Sequence, residues 1–221
     1  SLVRFFSCNN EIGVEGSRNA ETDCMGGIVG LLDSGELDNC TNRGAINDRD
    51  ESISYVGGLI GDAYYANIYE CSNSGNVRGF ANVGGVVGAY TGDEGEPEDY
   101  TIQDTHNYAN VSSSGQHVGG VAGRFVYAVL YNCSSSGNVT STYSNGDWAD
   151  AGGVAGEVID SIVSECTNEG TVSAKLKSVG GVCGSGDSTT IEYCSNTGAV
   201  STETGYVGGV VGYVISSSVV S

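Results

Sequence analysis

The sequence predicts an all-β fold, a β-solenoid of about seven stacked coils. Three observations predict it. Two short motifs alternate along the whole chain, aligned copies give uniformly apolar columns, and the composition suits strands and turns rather than helices. The first motif is Φ-G-G-Φ-x-G, with Φ apolar. It reads Met25-Gly26-Gly27-Ile28-Val29-Gly30 and recurs at Val56–Gly61, Val83–Gly88, Val118–Gly123, Ala151–Gly156, Val179–Gly184 and Val207–Gly212. The second is C-x-N-x-G-x-V, as in Cys71, Asn73, Gly75 and Val77. Further copies start at Cys40, Cys133, Cys166 and Cys194. A weaker copy holds Cys8, Asn10 and Val14, and one without cysteine holds Thr105, Asn107, Ala109 and Val111.

The spacing separates framework from loop. From the first glycine of a pair to the next cysteine is 14 residues for Gly26, Gly57, Gly119, Gly152 and Gly180. The return half varies from 13 to 19 residues, so insertions enter there. The gap from Gly84 to Thr105 is longer because it carries an acidic insert near Gly92–Tyr100, which contains the single proline. Units rich in Val, Ser, Thr, Asn, Gly and Tyr favour strands and turns. A unit this short buries no core alone, but stacking copies about 4.8 Å apart does. Right-handed coiling is the expectation for parallel crossovers.

The columns identify the interior. Three residues before each cysteine position stand Phe5, Leu37, Ile68, Ile102, Leu130, Val163 and Ile191. Six after it stand Val14, Ile46, Val77, Val111, Val139, Val172 and Val200. Two after the first glycine stand Ile28, Leu59, Val86, Val121, Val154, Val182 and Val210. The column two before the glycine pair is mixed (Cys24, Tyr55, Asn82, His117, Asp150, Ser178, Tyr206) and is expected on the outside. The Asn column is read as a left-handed turn with amides bonding from coil to coil. The glycines are read as serving positive φ or close approach of coils.

Six of the eight cysteines share one column, broken by Thr105 into two sets of three. Three residues do not pair off with neighbours, so a ladder of small, buried, reduced thiols is expected. The absence of C-x-x-C and of clustered histidines argues against zinc at the cysteines.

Charge narrows the partners. Eight Lys+Arg against 27 Asp+Glu give a formal charge of −19. Nucleic acid and anionic lipid surfaces, both of which recruit Lys and Arg, are poor candidates. No apolar run reaches the roughly 20 residues of a membrane helix, so no membrane insertion is expected.

No residue is singled out as catalytic. The two histidines, His106 and His117, lie in no H-E-x-x, G-x-S-x-G or P-loop pattern. His117 neighbours Asp150 in the mixed column and is read as half of a solvated surface pair. Basic residues are too scattered for a lyase, and no carboxylate pair stands out for a glycosidase. Cofactors are expected to be none. The two acidic stretches, Gly92–Asp99 and Asn47–Glu51, offer oxygens to calcium but lack the spaced ligands of known calcium loops. The best binding candidate is the insertion spanning 141–150, with Tyr143, Asp147, Trp148 and Asp150. There a tryptophan in a polar loop offers an apolar face to a sugar or protein.

The Φ-G-G-Φ-x-G copies resemble the GLUG motif of bacterial surface proteins. That motif occurs in large adhesin-like proteins and in non-catalytic regions of IgA-specific metallopeptidases. The resemblance spans Cys8 to Gly212. It implies an extracellular, cell-surface or secreted bacterial protein, with residues 1–221 forming a single solenoid domain within a longer array. The expected function is a non-catalytic structural and adhesion segment, a stiff spacer whose edge loops meet host glycan or protein. The alternatives are a carbohydrate-active β-helix or the accessory repeat region of a secreted peptidase.

Overall fold

A computed structural model describes residues 3–16, 24–50, 52–144, 149–216 and 218–221. The chain winds into a parallel β-solenoid of about seven turns. Among the described residues the paired strands run parallel, and each strand pairs with its equivalent in the next coil. One coil shows the plan. Tyr55–Gly57 leads through the Gly-Gly corner into Ile60–Tyr64, then Asn67–Tyr69, the short Ser72–Asn73 and finally Val77–Gly79. The expected registers hold to the residue: Ile68 lies between Leu37 and Ile102, and Val77 between Ile46 and Val111.

The apolar columns fill two lobes rather than one interior. The larger lobe holds the Leu37–Ile191 column, the Leu59–Val182 column, most of the cysteine column, and a Tyr90–Phe125 stack with ring centroids 5.0 Å apart. The smaller lobe holds Ile46, Val77, Val111, Val139 and Val172 against Val56, Val83, Val118, Ala151 and Val179.

A waist of asparagines and glycines separates them. Asn73 is fully buried and satisfied four ways. Its amide nitrogen donates to Asn107 Oδ1 and to the Gly75 carbonyl, both at 2.9 Å, and its Oδ1 accepts the Gly75 amide at 3.2 Å and the Asn42 side-chain amide at 2.8 Å. Buried amides need such complete pairing. The second glycine of each pair lies against this ladder. A Cβ at Gly85 would sit 2.1 Å from the Gly120 carbonyl oxygen and 2.3 Å from Asn107 Cγ, so only glycine fits.

Two conformational expectations change here. The Asn column is short strand, not turn. One left-handed corner is the residue just before the cysteine position: Ser7, Asn39, Glu70, Asp104, Asn132, Glu165 and Tyr193, with φ from 48° to 55°; a second comprises Ser34, Tyr65, Tyr127, Asp160, Ser188 and Ser216, with φ from 45° to 59°. Among the described glycines only Gly205, at φ 121°, is left-handed, so the excess glycine serves close packing. These corners instead use ordinary residues that the stack above and below holds in place.

None of the eight cysteines is joined in a disulfide. The column forms a hydrogen-bonded ladder. Each Sγ in the column faces the carbonyl two residues earlier, from 3.0 Å in Cys71 to 3.6 Å in Cys8. The amide of Cys8 donates to Cys40 Sγ and that of Cys40 to Cys71 Sγ, both at 3.3 Å. Thr105 continues the pattern: its hydroxyl accepts the Cys71 amide at 3.2 Å and donates to the Gln103 carbonyl at 2.9 Å. Burial pushes the Cys71 thiol up to about 12. Cys166 and Cys183 are raised by burial as well.

Candidate functional site

Two side-chain columns meet along a furrow beside the Gly-Gly corner. One is the mixed column two residues before the glycine pair. The other is the residue directly after the motif's last glycine: Leu31, Asp62, Ala89, Arg124, Glu157, Ser185 and Tyr213. The third glycine lets the two sheets approach, since a Cβ at Gly61 would lie 2.6 Å from both the Gly30 oxygen and the Met25 nitrogen. Residues seven apart in sequence therefore face each other. In the last coil this stacks Tyr206 on Tyr213, centroids 5.0 Å apart at 20°.

The furrow is charged at its centre. Arg124 Nε lies 2.8 Å from Glu157 Oε2 in the next coil. His117 Nδ1 lies 3.3 Å from Asp150 Oδ2, and Nε2 lies 3.8 Å from Glu157 Oε2. The His117 and Asp150 side chains are only 10% and 5% exposed, against 38% for Arg124. The expectation that this column is outside therefore holds for the exposed Tyr206 but is corrected for His117, Asp150 and Ser178, and the His–Asp pair is buried rather than solvated. The neighbouring column folds over it, and His117 takes a left-handed φ of 48° that fixes its ring there. Two coil-steps away from Arg124, beyond Ala89, sits the buried Asp62. Burial raises its carboxyl, while the Tyr64 hydroxyl and the Arg124 charge pull it down. Tyr64 in turn is pushed up to about 12 by burial and by Asp62.

Beyond the charged centre the furrow opens into a cleft of about 350 Å³. Its walls include Asp150, Glu157, Ser178, Ser185, Asp187, Tyr206 and Tyr213. A glycosidase would need two carboxyls about 5–5.5 Å apart or wider on either side of a sugar bond. The ligand oxygens of Asp150 and Glu157 lie within 4.8 Å of each other, and Glu157 is tied to Arg124. A serine hydrolase would need a hydroxyl on the histidine. Among the described residues the serine–histidine contact is Ser134 Oγ to His106 Nδ1, 2.8 Å, on a different sheet. Among the described residues neither constellation is assembled at the furrow.

The loop expectations fare unevenly. Tyr143 is half-buried just after the strand Val139–Ser141. Asp147 and Trp148 lie outside the described residues. Asp150 opens the strand Asp150–Gly152 and turns into the furrow, away from any loop role. Of the acidic stretches, Asp48 spends Oδ2 on the amides of Ser52 and Ile53, at 2.5 and 2.7 Å. In the other, Asp93 Oδ1 accepts the Gly95 amide at 2.8 Å. Both acids close their own turns.

Sequence reasoning reached His117 and Asp150 but missed Arg124 and Glu157. Their column looks random in one dimension. The available signal was its constant place directly after the motif's last glycine.

The class defined by this geometry is a parallel solenoid built on Gly-Gly corners. Residues 52–78 and 114–140 match the family model of the GLUG motif, each spanning one corner, one cysteine position and the following valine. No curated protein and no solved structure matches the chain.

Proposed function

We propose that the chain is a non-catalytic structural segment of a bacterial extracellular or cell-surface protein. It acts as a stiff spacer whose edge contacts glycan or protein. The observation that carries this reading is the unbroken register. The same strands pass from coil to coil, with an asparagine ladder in which Ser135 takes one rung and a thiol ladder in which Thr105 takes one, so load or position at one end is transmitted along the stack. The insertions support presentation along an edge. Those after Gly16, Asp48 and Ser141 leave one corner of the coil, between stacked strand ends.

The test is a polysaccharide panel assayed for both retention and turnover, with a glycan and host-protein array. Binding without turnover, reduced in Trp148→Ala, is the expected result. Hydrolysis or elimination that disappears in Asp150→Asn or Glu157→Gln would replace this reading with the carbohydrate-active one.

A further inference from the structure

We propose that His117, Asp150 and Glu157 form a binding site for a divalent transition-metal ion of the zinc type, clasping the fourth and fifth coils across the furrow. One donor atom from each of the three residues lies within 4.8 Å of the others. Ligands held about 2.0–2.2 Å from a tetrahedral ion lie about 3.3–3.6 Å from one another. His117 Nδ1 and Asp150 Oδ2, 3.3 Å apart, already have that separation.

The histidine supplies the independent observation. Its side chain is nine-tenths buried, yet no hydrogen bond reaches Nδ1 among the described residues. The Asp150 oxygen lies close but off the hydrogen-bonding direction of the ring nitrogen. A buried nitrogen in that state is costly, and a cation between the two groups satisfies both. Glu157 completes the set by a small rotation toward the pair. Arg124 bonded to it does not disqualify it: a carboxylate has about four acceptor sites, and ligating carboxylates are commonly hydrogen-bonded from outside.

Donor chemistry chooses the metal class. One imidazole and two carboxylates suit zinc and its neighbours, whereas calcium asks for six to eight oxygens. The three residues leave the side toward the Ser178–Ser185 cleft open, so a water or a polar ligand group takes the remaining position. Seven of the cysteines belong to a separate system, in the larger lobe, and Cys24 lies in the first coil, three coils from His117.

The test uses the full chain, reduced and stripped by chelator, titrated with Zn²⁺ alone by calorimetry and against a chromophoric indicator. One ion per chain and a rise in melting temperature are expected. Asp150→Asn and Glu157→Gln should each weaken binding at least tenfold, and His117→Ala should abolish it. Replacing the three half-buried thiols, Cys8, Cys24 and Cys194, by serine should leave the titration unchanged. With Co²⁺ the spectrum should show ligand-field bands without thiolate charge transfer. Absence of binding overturns the proposal, as does binding that survives in His117→Ala or vanishes in the thiol variant. Should His117→Ala lose its β-sheet circular dichroism, Glu157→Gln decides, because that side chain stands at the rim at 19% exposure. Unchanged affinity there also overturns the assignment.

Discussion

Replacing the second glycine of a central pair by alanine tests the packing argument, because the chain carries its own control. At Gly85 the added methyl would lie 2.1 Å from a carbonyl oxygen of the next coil and 2.3 Å from the Asn107 amide carbon. Neither is the yielding end of a flexible side chain. The backbone oxygen is part of the coil ladder, and the amide is locked into the waist. Forcing extra volume into such a site costs about 1–3 kcal/mol. Displacing Asn107 also breaks its buried bonds to Asn73 and the Ala109 carbonyl, about 1–3 kcal/mol for a polar group left unpaired. Gly85→Ala should therefore destabilise by about 2–6 kcal/mol, a large share of the roughly 5–15 kcal/mol that holds a domain together. Gly209 occupies the same motif position, where an added methyl would meet no atom within 4 Å and the φ is not left-handed. Gly209→Ala should be neutral or stabilise by about 0.4–1 kcal/mol through the unfolded chain. Urea titration followed by far-ultraviolet circular dichroism measures both. If the two midpoints agree within error, close packing against the ladder is not why the motif carries glycine.

Other expectations follow from the ladders. Thr105→Cys should fold with a stability change under about 1 kcal/mol, since a thiol can make both contacts of the Thr105 hydroxyl. Thr105→Val, equal in shape but without the hydroxyl, strands the Cys71 amide and should cost about 1–3 kcal/mol in the same titration. The raised thiols set an alkaline limit. The Cys71 thiol is at about 12 when folded against an ordinary value of 9.0, so between these the unfolded chain has lost a proton that the folded chain keeps. Its contribution is complete below pH 9 and disappears as pH rises through about 12, at about 1.4 kcal/mol per pH unit for each such thiol. Melting temperature measured against pH should fall across that window, and less steeply in Cys71→Ser. Thiol-reactive dye should label native protein slowly at neutral pH and all eight thiols once denatured.

The stack was legible because its columns repeat. Leu37, Ile68 and Leu130 are apolar for one reason in every coil, and a fixed 14-residue interval aligns them without coordinates. The division into two lobes was not legible, because apolar columns on either side of a waist look alike in sequence. The left-handed corner before the cysteine position escaped as well. It is occupied by Glu70, Glu165 and Tyr193 as well as by Asn39 and Asn132, so residue type gives no consistent hint there, while the asparagines of the ladder stand in short strands. The furrow was half legible. His117 and Asp150 share a column, but facing Glu157 depends on a backbone approach that only the folded corner creates.

The ladders carry little address information. Apart from Ser135 and Thr105, the ladder asparagines meet asparagines and core residues meet apolar equivalents, so a coil shifted by one whole repeat would find similar partners over most of the stack. Parallel strands with a shared pattern specify register within a coil but not the identity of the neighbouring coil. The furrow breaks this degeneracy. Arg124 finds Glu157, and His117 finds Asp150, only when the fourth coil lies beneath the fifth. The mixed columns thus act as labels that give each rung its place in an otherwise interchangeable series. A duplicated or deleted repeat away from Ser135 and Thr105 would pass through both ladders unnoticed and be detected at the furrow.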